Sequence, residues 1–318
     1  MTIGPYRREG ALRVAVVDMG TNSTRLLVAD VDGRNVREVE RRSTVTRLGR
    51  GVDLSGSLST DAIDEVAGVV GEYIEIYEAL GAERVTAIAT SAVRDAANAD
   101  AFIAELRERF ALGSRILSGD EEAQLTYQGS CCEGGSSNGT LVIDIGGGST
   151  EVIAGSEPGV ISSSSLQCGT VRHTERYLRS DPPGASELED LATDVSGLID
   201  AELPFDERPE ANHGIGVAGT PTSLAAIDLE LVPYDPEAVQ GHRLGLGSIQ
   251  RMCSELSSMP LAARRRVPGL HPDRAPTIVA GVVILIQLMR AFDLAEIEVS
   301  EHDILYGAAI EAAEAVLT

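Results

Sequence analysis

The chain has 318 residues, 43% of them hydrophobic, with 49 acidic against 26 basic side chains and a formal net charge of −23. That length suits two domains with cores of their own, and the charge excludes a nonspecific nucleic-acid binder, whose footprint is basic. Every basic side chain is arginine, which excludes P-loop enzymes of the Walker type, protein kinases and Schiff-base enzymes, since those need lysine.

Residues 1–10 have no apolar stretch and do not read as a signal peptide. An apolar run then ends at Asp18, a turn of small and hydroxyl residues follows (Gly20, Thr21, Asn22, Ser23), and a second apolar run begins after Arg25. This predicts a β-hairpin over about 12–31. A third strand is predicted over 37–46, followed by a polar turn at 48–53. Ser59 or Thr60 then caps a long amphipathic helix through Ile63, Val66, Val70, Ile74 and Tyr77, which Gly81 stops. Residues 84–90 read as a buried strand, Asn98 as the cap of a helix running to Phe110, and Ile116 and Leu117 as a short strand leading into a helix that opens at 119–123. This βββαβαβα order is the plan of a ribonuclease-H-like α/β domain.

Residues 129–139, rich in Gly, Ser and Cys, read as a turn or hinge. A second hairpin of the same design follows, with Asp144 standing 126 positions after Asp18 and the turn Gly146-Gly147-Gly148-Ser149 in place of the first. Beyond it the pattern predicts a strand at 160–166, helices at 170–178 and 186–202, and a strand entering a turn at 214–220. Helices at 222–229, 248–259 and 275–292 follow, then a strand at 296–299 and a last helix from Asp303. The longest apolar run, 278–289, is too short to span a bilayer and reads as a buried helix, so a cytoplasmic protein without a membrane partner is expected. The domains expected are 1–128 with 302–318, and 129–301. The four cysteines lack metal-site spacing and read as free thiols, and the five histidines are scattered, so no zinc site is expected.

The two turns carry the chemistry. Gly, Ser and Thr present little bulk and supply donors, so such turns approach phosphate oxygens closely. Two of them suggest related domains facing one polyphosphate. Thr21, Asn22 and Ser23 offer hydroxyl, amide and backbone donors, and Arg25 adds a charged fork. Gly146, Gly147 and Gly148 let amides converge on a phosphate, with Ser149 adding a hydroxyl. Asp144 ends its strand where a carboxylate can hold Mg²⁺ directly or through water. Glu151 lies two residues past Ser149, on the same face by strand alternation. Glu121 and Glu122 begin a helix, where acids are favoured in any case. Arg41, Arg42, Arg47 and Arg50, and separately Arg264, Arg265 and Arg266, either guide a polyanion or form solvated faces.

Taken in order, residues 18–26, 89–98, 118–123, 144–151, 216–222 and 299–307 resemble the motifs of the exopolyphosphatase / guanosine pentaphosphatase family, across nearly the whole chain from Leu12. The resemblance implies an α/β protein of two ribonuclease-H-like, actin-like ATPase superfamily domains with the active site in the cleft between them. It implies metal-assisted hydrolysis of the terminal phosphoanhydride of inorganic polyphosphate, with guanosine pentaphosphate as the alternative substrate and guanosine tetraphosphate as a further ligand. In the family the second Glu of the pair orients the attacking water, which here is Glu122, 22 positions before Asp144. Glu121 is then a capping or surface residue. Asp144, Glu151 and Asp18 are implied for Mg²⁺ or another divalent cation, and Arg94, Gly219 and Thr220 for phosphate. A homodimer is expected, and the absence of a helical extension found in longer relatives suggests short or medium chains. More remote readings are an actin-like ATPase or phosphotransferase, and a non-enzymatic binder of polyphosphate or alarmone. Two departures stand out. The lysine some relatives use on the substrate tail is missing, leaving Arg172, Arg176 or Arg243 to replace it, and the run Arg274-Ala275-Pro276-Thr277 lacks an Asp often found there.

Overall fold

Strand β1 (Leu12–Met19) carries apolar residues on both faces, the pattern of a strand at the centre of a sheet. In the computed structural model, which describes residues 10–132, 139–156, 159–204, 206 and 208–315, β1 is central. It pairs antiparallel with β2 (Thr24–Asp32), which pairs with β3 (Asn35–Thr44). On its other side it runs parallel to β4 (Arg84–Ala89), which pairs with β5 (Ser114–Ile116), giving the order β3-β2-β1-β4-β5. The chain divides into two compact units, Met1–Gly135 with His302–Thr318, and Ser136–Glu301, and this sheet belongs to the first.

Strand alternation sorts β1 between two cores. Ala15, Val17 and Met19 pack with α1 (Val52–Ser55), α2 (Thr60–Ala79), α3 (Ser91–Arg94) and α4 (Ala99–Phe110) through Val52, Val66, Val70, Ala92 and Phe102. Val14 and Val16 face the opposite core, built with Leu125 of α5 (Gly119–Ser130) and the apolar side of the last helix, Ile304–Glu314. Asp18 shares the parity of Val14 and Val16, as Arg25 on β2 shares that of Leu27 and Ala29. Alternation alone therefore aims both charges toward α5 and the last helix. Those two helices meet at glycines: a Cβ on Gly129 would lie 2.0 Å from the Asp303 carbonyl oxygen, and one on Gly307 would lie 1.9 Å from that of Leu125. Ser59 caps α2 by accepting from the Ala62 amide, and Gly81 beyond its end has φ 71°. Asn98 precedes α4 without capping it, because its amide group exchanges two hydrogen bonds of 2.9 Å with the Leu58 backbone.

The second unit begins with β6 (Thr140–Ile145), β7 (Thr150–Ser156) and β8 (Gly159–Leu166), then α6 (Thr170–Tyr177) and α7 (Ala185–Glu202). It continues through β9 (His213–Val217), α8 (Gly219–Asp228), α9 (Pro236–Val239), β10 (Arg243–Gly245), α10 (Leu246–Ser258), α11 (Leu261–Arg264), α12 (Ile278–Ala291) and β11 (Glu296–Val299). The last helix, α13 (Ile304–Glu314), belongs to the first unit. The sheet order is β10-β11-β9-β6-β7-β8. Without the short edge strand β10, this repeats the first unit's plan, with its third, second, first, fourth and fifth strands side by side. Both units are thus ribonuclease-H-like α/β domains.

Two expected boundaries shift. Helix α5 continues through residues 129 and 130, so the break expected after residue 128 would cut a helix, and the units divide at Gly135. The hinge expected over 129–139 lies partly outside the described residues, at 133–138. Helix α8 starts at Gly219, three residues earlier than predicted, because Thr220, Pro221 and Thr222 fit its first turn. The apolar run at 278–289 forms the buried helix α12, and among the described residues no helix is long and apolar enough to cross a membrane.

Candidate active site

The two hairpins share one turn. Four residues join β1 to β2 and four join β6 to β7. In each, the first is glycine and its amide donates to the carbonyl oxygen of the fourth at 3.0 Å, Gly20 to Ser23 and Gly146 to Ser149. A Cβ on either glycine would stand 3.0 Å from that same oxygen, so a side chain crowds the turn. The inner carbonyls are tied down. Thr21 accepts from the Gly49 amide and Asn22 from those of Thr46 and Arg47; Gly146 accepts from Thr170, and Gly147 from Val171 and Arg172. The amides of Thr21, Asn22, Gly147 and Gly148 make no backbone hydrogen bond to described residues. Each turn thus has its acceptors engaged by the protein and inner donors left over, the polarity that suits an anion. The Thr21 hydroxyl also accepts from the Ala92 amide at 3.1 Å, which pins the turn to α3.

The sheets correspond residue by residue beside these turns. Ile88, Asp18, Arg25 and Ser43 form a row across β4, β1, β2 and β3, and Val217, Asp144, Glu151 and Ser165 form the matching row across β9, β6, β7 and β8. The charges differ at one place, where the first row has Arg25 and the second has Glu151.

In the first unit the row neutralises itself. Arg25 donates to Asp18 Oδ2 from Nε at 2.9 Å and Nη2 at 2.6 Å, and its Nη1 donates to Asp303 at the start of α13. The fork expected to hold phosphate is therefore engaged by two buried carboxylates. Burial pushes the Asp18 carboxyl above its ordinary range against the pull of Arg25. Burial acts the same way on Asp303, but Arg25 and Arg41 outweigh it and hold that carboxyl below the usual range. Asp18 Oδ1 is buried without a hydrogen-bond partner among the described residues.

Glu121 closes a capping box with Ser118, accepting from the Ser118 amide at 2.8 Å while its own amide donates to Ser118 Oγ at 3.2 Å. That fixes the first turn of α5 and leaves Glu122, only 8% exposed, on the inner side. Glu122 Oε2 accepts from Arg94 Nη1 at 2.9 Å, and the same nitrogen donates to the Leu117 carbonyl at 2.8 Å. Burial raises the Glu122 carboxyl above the ordinary range, with Arg94 opposing and Asp18 adding to it. Arg94 Nη2 is buried with no partner among the described residues, so one face of the guanidinium is used on Glu122 and the other has a donor to give.

In the second unit, Asp144 (7% exposed) and Glu151 (1% exposed) are direct cross-strand partners. Like charges placed opposite one another are unfavourable unless a cation or hydrogen bonds compensate. Glu151 Oε1 accepts from Ser165 Oγ at 2.7 Å. No group of three or more His, Cys, Asp or Glu able to hold a metal occurs among the described residues. Two carboxylates alone do not make a closed metal site; they could hold a hard ion of the Mg²⁺ type only where water and substrate phosphate complete its shell. Ser149, also buried, ends the turn that joins their two strands.

The third glycine motif is occupied by the protein itself. A Cβ on Gly219 would lie 1.4 Å from Arg274 Nη1, so the guanidinium covers this residue at the start of α8. Thr220 Oγ1 lies 2.2 Å from where a Cβ on Gly281 would stand, and the residue is 3% exposed. Helix packing against α12 thus takes the Thr220 side chain expected on phosphate. Of the three arginines considered for the missing lysine, Arg172 donates from Nε to the Gly148 carbonyl at 2.7 Å and stands at the glycine turn. Arg176 lines a 470 Å³ cavity with Arg179, Glu187, Asp190 and Asp194, where acids outnumber arginines. Arg243 sits on β10 against Glu296. Buried Arg264 donates to the carbonyls of Leu256, Ala275 and Met259 and so does not steer a polyanion. Asp303 and Ser165 have site contacts the sequence did not reveal. Asp303 is legible as an N-cap, accepting from the Leu305 amide at 3.0 Å, but its pairing with Arg25 spans 278 positions.

A sequence model described as the Ppx/GppA phosphatase family matches residues 27–310. The chain is 36% identical over 315 residues to exopolyphosphatase 2 of Mycobacterium tuberculosis, covering 95% of this chain and 98% of that one. Among solved structures, an exopolyphosphatase-like protein at 29% identity superposes with a TM-score of 0.90 over 98% of this chain and 100% of that chain. The Aquifex aeolicus member of the Ppx/GppA family, at 28% identity, gives 0.82 over 97% and 99%.

Proposed function

Because this chain belongs to the Ppx/GppA phosphatase family, we propose that it is an exopolyphosphatase, releasing orthophosphate from the end of inorganic polyphosphate. The observation that carries the reading is the buried Glu122–Arg94 pair with its unspent Nη2 donor. Phosphoanhydride hydrolysis needs a water oriented in line with the departing phosphate and donors that accept its charge. Glu122 has the carboxylate for the first task. Arg94 Nη2 and, in the same unit, the inner amides of the first turn have donors for the second. Catalysis then rests on positioning and on charge neutralisation by fixed dipoles.

Asp144 and Glu151 are proposed to hold Mg²⁺ or another divalent cation, which when bound offsets phosphate charge. Asp18 contributes its orphan Oδ1 on the side of the first turn. Arg25 and Asp303 set the position of Asp18 and carry no phosphate. The reading extends to a cytoplasmic homodimer, which light scattering on the purified protein would test for its oligomeric part.

Phosphate release from polyphosphates of several lengths, guanosine pentaphosphate and ATP, each with Mg²⁺, tests the substrate. Polyphosphate is expected to give the highest kcat/KM. Preference for guanosine pentaphosphate would move the protein to the other activity in the family's name, and release from ATP alone would end the reading. Glu122→Gln keeps the shape and removes the proton acceptor, so kcat is expected to fall at least roughly 100-fold. Full activity in that variant would remove Glu122 from the mechanism.

A further inference from the structure

Strand β8 carries four serines in a row, Ser162 to Ser165, on an outer strand of the second sheet. A run of hydroxyls is not what strand propensity asks for. Alternation separates the four: Ser162 and Ser164 pair with Ala154 and Val152, Ser163 pairs with Ile153, and Ser165 alone stands opposite a carboxylate, Glu151. Its Oγ donates to Glu151 Oε1 at 2.7 Å, the ordinary length for a hydroxyl hydrogen bond. Ser165 is half-buried whereas Glu151 is almost wholly buried. The hydroxyl therefore reaches inward from the outer strand to a side chain that water hardly meets.

The matching row of the first unit shows what this arrangement is for. There Ser43 stands opposite Arg25 in the place Ser165 has opposite Glu151, and the row's carboxylate, Asp18, is neutralised by that arginine. The second row has no arginine. The cation seat proposed above is its pair of acids, and a flexible glutamate holds a cation well only if its carboxylate is fixed. Hydrogen bonds from outside the coordination shell are the usual means, and losing one typically costs metal affinity.

We infer that Ser165 is a positioning residue of the divalent-cation seat, orienting the Glu151 carboxylate by its hydroxyl while Asp144 supplies the opposite side. This rests on the reading of Asp144 and Glu151 as cation-binding. Ser165 touches neither substrate nor ion in this assignment and acts only through Glu151.

The test is Mn²⁺ binding to the full chain without substrate, followed by the spin-resonance signal of free Mn²⁺. Ser165→Ala is expected to weaken binding roughly 10- to 100-fold, and Ser165→Thr, which keeps the hydroxyl, to restore wild-type affinity. Ser163→Ala, on the same strand but opposite Ile153, controls for disturbance of β8 and should bind as the wild type does. Equal loss in Ser163→Ala and Ser165→Ala would overturn the inference as a general effect on the strand. Wild-type affinity in Ser165→Ala beside weakened binding in Glu151→Gln would overturn Ser165 and leave the cation seat standing. Mn²⁺ binding that is absent, or indifferent to Glu151→Gln, would remove the seat and the inference together.

Discussion

Arg94 divides its guanidinium between the fold and the site. Nη1 is shared by the Leu117 carbonyl and Glu122, and Nη2 has no partner among the described residues. The charge of Arg94 is also the first influence holding the Glu122 carboxyl down against burial. Replacing it with glutamine should therefore do two separable things. The loss of a charged donor should lower kcat/KM roughly 100-fold near neutral pH. The rising acid limb of the pH profile should also move to higher pH, because Glu122 works ionised and nothing of equal strength then opposes its burial. Arg94→Gln should recover part of its deficit as pH rises. A uniform loss with an unmoved limb would mean that Arg94 acts on phosphate alone. Sequence reasoning put both Arg94, which follows a buried strand, and Arg25 on phosphate. Nothing in the local run around Arg25 shows that Asp303, far along the chain, claims part of its fork.

At the scale of elements, α5 and α13 carry Glu122 and Asp303 and are held against each other by Gly129 and Gly307, where the backbone of one helix fills the space a side chain would need on the other. Gly307→Ala puts a methyl carbon 1.9 Å from the Leu125 carbonyl oxygen, a clash with backbone that no rotamer relieves. The helices must separate, at a cost of about 1–3 kcal/mol in urea unfolding. Activity should fall as well, because both carboxylates move with their helices. Gly68 in α2 is the contrast: a Cβ there meets nothing within 4 Å, so Gly68→Ala should stabilise by about 0.5–1 kcal/mol and leave activity alone. The starts of these helices were legible in the sequence, at 119–123 with Glu121 as a capping or surface residue and at Asp303. Their crossing was not, because a glycine inside a helix reads only as a weakness until the opposing backbone is known. Strand β10 escaped for a related reason: Arg243, Leu244 and Gly245 gain strand character only from pairing with β11.

Across the whole molecule, the same strand order and the same turn occur twice, and the duplication was visible from the start in the two hairpins. The sequence could not show which copy neutralises itself, since that depends on cross-strand register placing Arg25 opposite Asp18 and Glu151 opposite Asp144. The net charge of −23 raises a question of the same scale. The proposed substrate is a polyanion, so long-range repulsion opposes encounter while local donors favour binding. The two have different reach. At about 10 mM monovalent salt the screening length is about 30 Å, comparable to a small domain, whereas at about 100 mM it is about 10 Å and chiefly near charges are felt. With Mg²⁺ held constant, kcat/KM for polyphosphate should therefore rise as KCl goes from the lower to the higher concentration, opposite to the behaviour of a basic polyanion binder. Arginine-rich stretches such as Arg41 and Arg42 are partly spent on Asp303 and Glu40, which limits their field at a distance. A decrease of kcat/KM over that range would show that the remaining arginines, and not the net charge, govern how substrate arrives.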